Sequence, residues 1–247
     1  MNFLIPMAGP DEAFKDSFAF GKSLAEIEQR PVIEHVVERL SALPEAKFVF
    51  VIRKEDARRN HLDTVLKLLS PSCTVIIAES QTAGAACTAL LAIEHIDPHA
   101  PLVITNGDQL IDVDVGMILA SFYSRQLDAG VIVFDAVHPR WSYVRVDSQG
   151  NVVEAAEKRP ISRNATAGFY YFKTGSSFIT AAQQMILKDD HVGGAFYVCP
   201  CLNQLILSNA RIGTHVIPRS SYHSLATPRG VDSYQELISG RGVEADS

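Results

Sequence analysis

Nothing in this sequence comes near the ~18 consecutive apolar residues that a membrane-spanning helix requires, so no membrane span is expected. The first residues, MNFLIPMAGPDEAF, carry no basic segment ahead of their short apolar run. Acidic residues stand where a signal peptide would be cut, and a cytoplasmic protein is expected. An excess of positive charge is also missing. The net charge of -6 argues against a broad nucleic-acid-binding surface, although a local basic pocket could still hold phosphates. Cysteine is sparse, with four residues, Cys73, Cys87, Cys199 and Cys201. The C-P-C at 199–201 has no second cysteine pair or histidine cluster to complete a zinc pattern, so reduced and mostly buried thiols are expected. There is no internal repeat, low-complexity stretch or linker.

What the chain does have is an ordinary globular composition, 247 residues with 47% apolar and 20% charged, enough for a sizeable core. Short β-branched runs alternate with helical patterns. Strands are expected at 2–8, 47–52, 74–78, 101–105 and 130–136. Between them, Val32, Ile33, Val36, Val37 and Leu40 recur at helical spacing behind Pro31, which suits a first helical turn. Further helices are expected at about 55–69, 84–95 and 115–125. Strand–helix–strand alternation of this kind implies right-handed crossovers. The fold class is therefore α/β, a doubly wound, mainly parallel Rossmann-like sheet flanked by helices. The second half adds a small antiparallel β insertion, from 141–147, 152–158 and 165–173. Helices at about 175–187 and 197–209, a strand at 211–217 and a short helix at about 231–238 complete a single domain, 1–247.

Such sheets bind ligands at the carboxyl ends of their strands, which directs attention to the residues after 8, 78 and 105. Three features stand there or nearby. The turn at Ala8-Gly9 ends a strand in small residues, which lets backbone N–H groups approach a ligand; Lys15 and Lys22 follow on the same loop and could reach a phosphate. In ITNGDQ (104–109) an apolar strand runs into Gly107-Asp108, placing a carboxylate where Mg²⁺ could bind together with substrate phosphates. A helix-cap or turn aspartate is the plainer alternative. Third, Glu157-Lys158 at a strand end offers an acceptor for hydroxyls and a cation for phosphate, or else a surface ion pair.

In order and spacing, IPMAG, the lysine-bearing loop, QTAGAACTALLA, PLVITNGDQ, HPRWSYVRVD, AEKRPIS, ATAGFYYFK, FYVCP and LATPRGVDSYQEL resemble the bacterial sugar-phosphate nucleotidyltransferases (nucleoside-diphosphate-sugar pyrophosphorylases). The likeness is to the branch found with capsule and lipopolysaccharide genes, and it spans about 2–238. It implies that a nucleoside triphosphate is joined to a sugar 1-phosphate or similar phosphate monoester, with release of pyrophosphate, in surface-polysaccharide precursor synthesis. By position, Ala8, Gly9 and Gly84 would face the nucleotide, Asp108 would hold Mg²⁺ and Lys22 would touch phosphate. Glu157, Lys158 and Gly168 would bind the sugar phosphate. Lys22, Asp108 and Lys158 would then be the catalytic group, the nucleotide part about 1–136 and the acceptor part about 137–238. A homo-oligomer is common in the family.

The sequence departs from the family pattern twice. Asp11-Glu12-Ala13 replaces the first-loop segment that usually ends in an arginine, and Ser224 stands where a second metal-binding aspartate is often found. A nucleotide-sugar-binding or regulatory protein that has lost turnover is therefore one alternative. Another is a glycosyltransferase using Asp112-Val113-Asp114 for metal, although aspartates at a helix start serve more simply as N-caps.

Overall fold

The structure is a computed structural model that describes residues 1–10, 14, 21–43 and 45–245, without the side chains of 241–245. Lys15 and the Asp11-Glu12-Ala13 segment lie outside the described residues.

The chain begins with strand β1 (Asn2–Pro6), a 3-10 turn (Lys22–Leu24) and a two-residue ribbon, β2 (Glu26–Ile27) and β3 (Arg30–Pro31). Helix α1 (Val32–Ser41), β4 (Lys47–Arg53), α2 (Lys54–Asn60), α3 (Leu62–Leu69), β5 (Thr74–Ala78) and α4 (Ala85–Leu90) follow. Next come β6 (Leu102–Thr105), β7 (Gln109–Ile111), α5 (Val115–Ser124), β8 (Ala129–Asp135), β9 (Ser142–Val146), β10 (Val152–Glu157) and β11 (Asn164–Phe172). The chain closes with α6 (Gly175–Leu187), α7 (Val198–Leu207), β12 (Ile212–Val216), β13 (Tyr222–Ser224) and α8 (Pro228–Ala245).

A nine-stranded sheet runs β10-β9-β11-β6-β1-β4-β5, with β8 beside β11 and β12 beside β8. Seven of its nine strands point the same way, and only β10 and β11 are reversed. The sheet is thus α/β and mainly parallel, as expected. Its antiparallel part is continuous with it, because β11 pairs with β6 along four residues. Central parallel strands must be apolar on both faces. In β1, Phe3 and Ile5 pack into one core and Leu4 into the other; β4 repeats this with Phe48, Phe50 and Ile52 against Val49 and Val51. Helix α1 buries Val32, Ile33, Val36, Val37 and Leu40 on the first face, while α4 buries Ala86 and Ala89 on the second. The two windings cross between β1 and β6. From β1 the chain moves outward through β4 to β5, then returns to the other flank of β1 as β6. A crevice opens at such a reversal, beyond the carboxyl ends of the two strands.

Several local expectations are corrected. The helix expected at 55–69 is broken at His61, which takes a left-handed conformation with φ 51° and separates α2 from α3. The helix expected at 84–95 ends at Leu90 and continues as a 3-10 turn at Ile93–His95. Pro31 precedes the first turn of α1 as its N-cap, with ψ 143°. The last helix starts earlier and runs longer than expected, over Pro228–Ala245. The two-residue ribbon and the small β7–β13 sheet were not expected, since two or three residues carry no periodicity to read. Among the described residues, no helix is long and apolar enough to cross a membrane.

Candidate functional site

At the β1–β6 reversal lies a cleft of about 500 Å³, within the usual range for small-molecule sites. Its floor is formed by the turns after β1 (Met7 to Pro10) and β6 (Asn106 to Asp108). Gly107 permits their close approach: a Cβ there would lie 3.1 Å from both Ile5 and Met7 side chains. A Cβ on Gly9 would meet nothing within 4 Å among the described residues, so that main chain is open on their side. Between the two turns, Lys22 Nζ donates to Asp108 Oδ2 at 2.9 Å, each side chain only 18% exposed.

One wall comes from the loop after β5. Gln81, Thr82 and Gly84 line the cleft. Gly84 has φ 109° and ψ 173°, and the space its side chain would fill is taken by the Phe196 main chain, 2.4 Å from an ideal Cβ. The two segments are sewn together by Phe196 N–H to Ala83 O (2.7 Å) and Ala86 N–H to Phe196 O (3.0 Å).

The opposite wall belongs to β9, β10 and β11. Glu157 is buried at the end of β10 and accepts from the Ser142 hydroxyl. Burial pushes its carboxyl above the ordinary carboxylate range, with the Ser142 hydrogen bond pulling the other way. Thr166 and Tyr170 share a hydrogen bond of 2.9 Å beside it. Gly168, at φ 59°, breaks the β11–β8 register. Its carbonyl accepts from Asn106 N–H (3.2 Å) and Gln109 Nε2 (3.2 Å). Buried Gln109 also accepts at Oε1 from Asn106 Nδ2 (3.1 Å) and the Tyr222 hydroxyl (3.3 Å). It is therefore a fully bonded post joining three walls.

Of the residues singled out from sequence, Ala8, Gly9, Lys22, Gly84, Asp108, Glu157 and Gly168 line this one cleft. Lys158 does not. At φ 53° its chain turns away, and Nζ donates to the hydroxyl of Tyr197, itself a wall residue, at 2.8 Å. Arg140, Gln109 and Tyr197 were missed. Arg140 is the one with a visible signal, as a cation one residue before an aromatic strand start in HPRWSYV. Ser224 lines the cleft near Asp108, whose carbonyl accepts from Leu225 N–H at 2.8 Å.

The Asp112-Val113-Asp114 segment has other work. Asp114 caps α5, accepting from Met117 N–H at 3.0 Å. Asp112 does not cap; it binds Arg39 (3.0 Å) and His223 (3.1 Å), contacts that hold its carboxyl below the usual range, the His223 hydrogen bond first among them. All four cysteines are free thiols, Cys199 and Cys201 buried and Cys73 and Cys87 partly so.

Among the described residues no group of three or more His, Cys, Asp or Glu gathers as a metal cage. A single carboxylate at the cleft floor, facing room for phosphate oxygens, still fits Mg²⁺, which commonly takes one or two carboxylates and completes its shell with water and substrate phosphates.

The family model for nucleotidyl transferases matches residues 17–195, more than half of the chain. The chain belongs to the nucleotidyl transferase family. Among solved structures, this nucleotidyl transferase is similar to the nucleoside-diphosphate-sugar pyrophosphorylase of Vibrio cholerae RC9, at TM-score 0.81 and 22% identity over 95% of this chain and 99% of that one. It is also similar to the inositol-1-phosphate CTP transferase of T. maritima, at TM-score 0.76 and 13% identity over 96% and 94%. At these identities the likeness establishes the fold. No curated protein matches the sequence.

The Glu157 carboxyl yields a stability prediction for this nucleotidyl transferase. A carboxyl whose pKa rises on folding binds more protons folded than unfolded, so stability falls as pH climbs from the unfolded value, ~4.3, through the folded one. Glu157→Gln should therefore raise Tm at neutral pH and have little effect below pH ~4, as read by thermal melts across pH.

Proposed function

We propose that the chain joins a nucleoside triphosphate to a phosphorylated small molecule, with a sugar 1-phosphate the leading class, and releases pyrophosphate. The observation carrying this reading is the lateral order of the cleft. In the sheet, β5 and β1 lie on one side, β9 and β10 on the other, and the Asp108 turn of β6 between them. Three strand places separate β1 from β9, ~14 Å at normal strand spacing. That is room for two ligands meeting over one carboxylate–lysine pair. The nucleotide would lie over Ala8, Gly9 and Gly84, on the 1–136 side. The acceptor would lie against Glu157, Gly168 and the Lys158 turn, on the 137–238 side.

In the reaction an oxygen of the acceptor phosphate attacks the α-phosphorus. The new P–O bond forms as the bond to the β-phosphate bridging oxygen breaks, and pyrophosphate leaves. No side-chain nucleophile is needed; positioning and charge neutralisation supply most of the acceleration. Gly9 main chain leaves space for the phosphates, Lys22 offers a cation to them, and Glu157 with Ser142 orients the acceptor. Asp108 would hold Mg²⁺, which when bound neutralises polyphosphate charge.

The direct test is pyrophosphate release over a panel of nucleoside triphosphates and sugar 1-phosphates with Mg²⁺. Product in at least one combination is expected. Thermal stabilisation by nucleotide sugars with no pyrophosphate from any combination would instead favour a binding protein, the alternative raised by Asp11-Glu12-Ala13. The likeness to the capsule and lipopolysaccharide branch makes surface-polysaccharide precursors the first products to seek. Ser224 supplies a finer test. A second carboxylate beside Asp108 should tighten metal binding, so Ser224→Asp should lower the half-saturating Mg²⁺ concentration about tenfold, the equivalent of ~1.4 kcal/mol, in metal titrations of turnover.

A further inference from the structure

A second cavity, of about 280 Å³, lies between α6 and α7 and shares no residue with the cleft. Gln204 of α7 lines it and is only 3% exposed. The Gln204 amide oxygen accepts from Lys188 Nζ at 2.7 Å. An ammonium can only donate, so this contact fixes which branch of the amide is oxygen. The other branch, the NH2, has no hydrogen-bond partner among the described residues. Yet among those residues no side-chain nitrogen or oxygen is both sealed from solvent and unpartnered. The nitrogen is therefore open, and the cavity that Gln204 lines is where it opens. Two N–H donors left unused on a side chain this buried are costly unless something in the cavity accepts from them.

The rest of the lining is rich in hydroxyls. At the start of α6, Thr174 Oγ1 bonds both Ser176 Oγ (3.0 Å) and Ser177 Oγ (2.7 Å). Its single proton can serve only one of them, and either way both serine oxygens keep a lone pair to offer. Ser208 Oγ donates to Gln204 O at 3.1 Å and likewise stays an acceptor. Thr180 adds an exposed hydroxyl, while the buried Ala181 and Leu205 supply apolar surface. A phosphate is a poor occupant. The first three N–H groups of α6, which could have held one, are taken: Gly175 by Ala100 O (2.9 Å), Ser176 by Pro98 O (3.1 Å) and Ser177 by Thr174 O (3.2 Å). Among the described residues, no arginine or lysine lines the cavity. Donors and acceptors mixed at short range, without charge and beside apolar surface, match a molecule whose every hydroxyl both donates and accepts and whose C–H face is apolar.

We infer that the α6–α7 cavity is a second binding site, for one neutral sugar ring, with the Gln204 amide donating to a ring hydroxyl. Its volume lies just below the ~300 Å³ at which most ligand sites begin, which suits a single ring rather than a nucleotide sugar. The serine oxygens accept from the neighbouring hydroxyls of the ring, and its C–H face lies on Ala181 and Leu205. The site stands on its own residues and does not rest on the transferase reading.

The probes are glucose, galactose and mannose, with sodium sulfate as the anionic control. Proton–nitrogen correlation spectra resolve side-chain NH2 pairs, and the Gln204 pair is the one lost in Gln204→Met. At least one sugar should shift that pair and the backbone amides of 176–181 saturably, with half-saturation in the millimolar range, and sulfate should not. These signals come from the α6–α7 cavity, so a sugar that enters the cleft is not mistaken for one bound here. Gln204→Met is close in volume and removes both donors, so saturating the 176–181 shifts should then need about tenfold more sugar. Thr180→Phe keeps Gln204 but fills the cavity from an exposed position; it should abolish the shifts and leave Tm unchanged. No saturable shift with any of the three sugars, undiminished affinity in Gln204→Met, or an equal response to sulfate overturns the site. None of these readings involves pyrophosphate, so the site and the transferase reading stand or fall separately.

Discussion

Asp108→Asn should lower Mg²⁺-dependent turnover at least about a hundredfold and leave the melting temperature close to that of the parent chain. The substitution keeps shape and hydrogen-bonding capacity but removes the charge that balances Lys22 at 2.9 Å. That pair is mostly buried, but the asparagine amide oxygen can still accept from the lysine, so no buried donor is left without a partner and the loss of stability stays small. The carboxylate's proposed task is different, since it stands where the two halves of the cleft meet and where polyphosphate charge must be offset. Rate assays with varied Mg²⁺ check the first half of the prediction and calorimetric melts the second. Turnover unchanged by the substitution would remove Asp108 from the chemistry, and a large drop in Tm would mean that the residue is structural.

The second large effect is expected at Gly84. Its φ of 109° with ψ of 173° is a conformation that essentially only glycine takes. An added methyl would also press on the Phe196 carbonyl at 2.4 Å and nitrogen at 2.6 Å, and backbone cannot swing aside as a flexible side chain can. Gly84→Ala should cost at least ~2 kcal/mol, which in a domain of this size is a fall in Tm of about 5 °C or more. Gly9→Ala is the informative contrast. It adds the same methyl where none of the described residues stands within 4 Å, so stability should stay within ~0.5 kcal/mol, while KM for the triphosphate rises because the methyl enters the cleft. Paired melts and kinetics of the two variants separate a glycine needed to build the wall from one needed to keep the floor clear.

The framework was readable wherever the signal was local. The apolar runs of β1, β4, β5 and β6 and the spacing of Val32, Ile33, Val36, Val37 and Leu40 each declare their elements, because a parallel sheet covered on both faces demands them. The turns after β1 and β6 followed from the fold rule for strand ends. Their meeting was legible only through the family resemblance, since eighty-six positions separate Lys22 from Asp108. Pairings of distant short segments stayed hidden: β7 and β13 are three residues each, too short to show alternation, and each is a strand only because the other is present. His61 gave no warning of its left-handed turn. Gln109 and Tyr197 look like unremarkable polar and aromatic residues until Gly168, Tyr222 and Lys158 are brought beside them. Lys158 was placed at the right hairpin end but facing the cleft, whereas Tyr197 draws it aside.

The β7–β13 ribbon also bears on the order of events during synthesis. Asp108 leaves the ribosome early, but its main chain is anchored by Leu225, and the Gln109 neighbour of that anchor pairs with Ser224. A nascent chain that has delivered only its first two hundred residues already holds every strand of the large sheet except β12, yet lacks the clasp behind its central carboxylate. Competence should therefore arrive abruptly, with the last tenth of the polypeptide, rather than grow with the sheet.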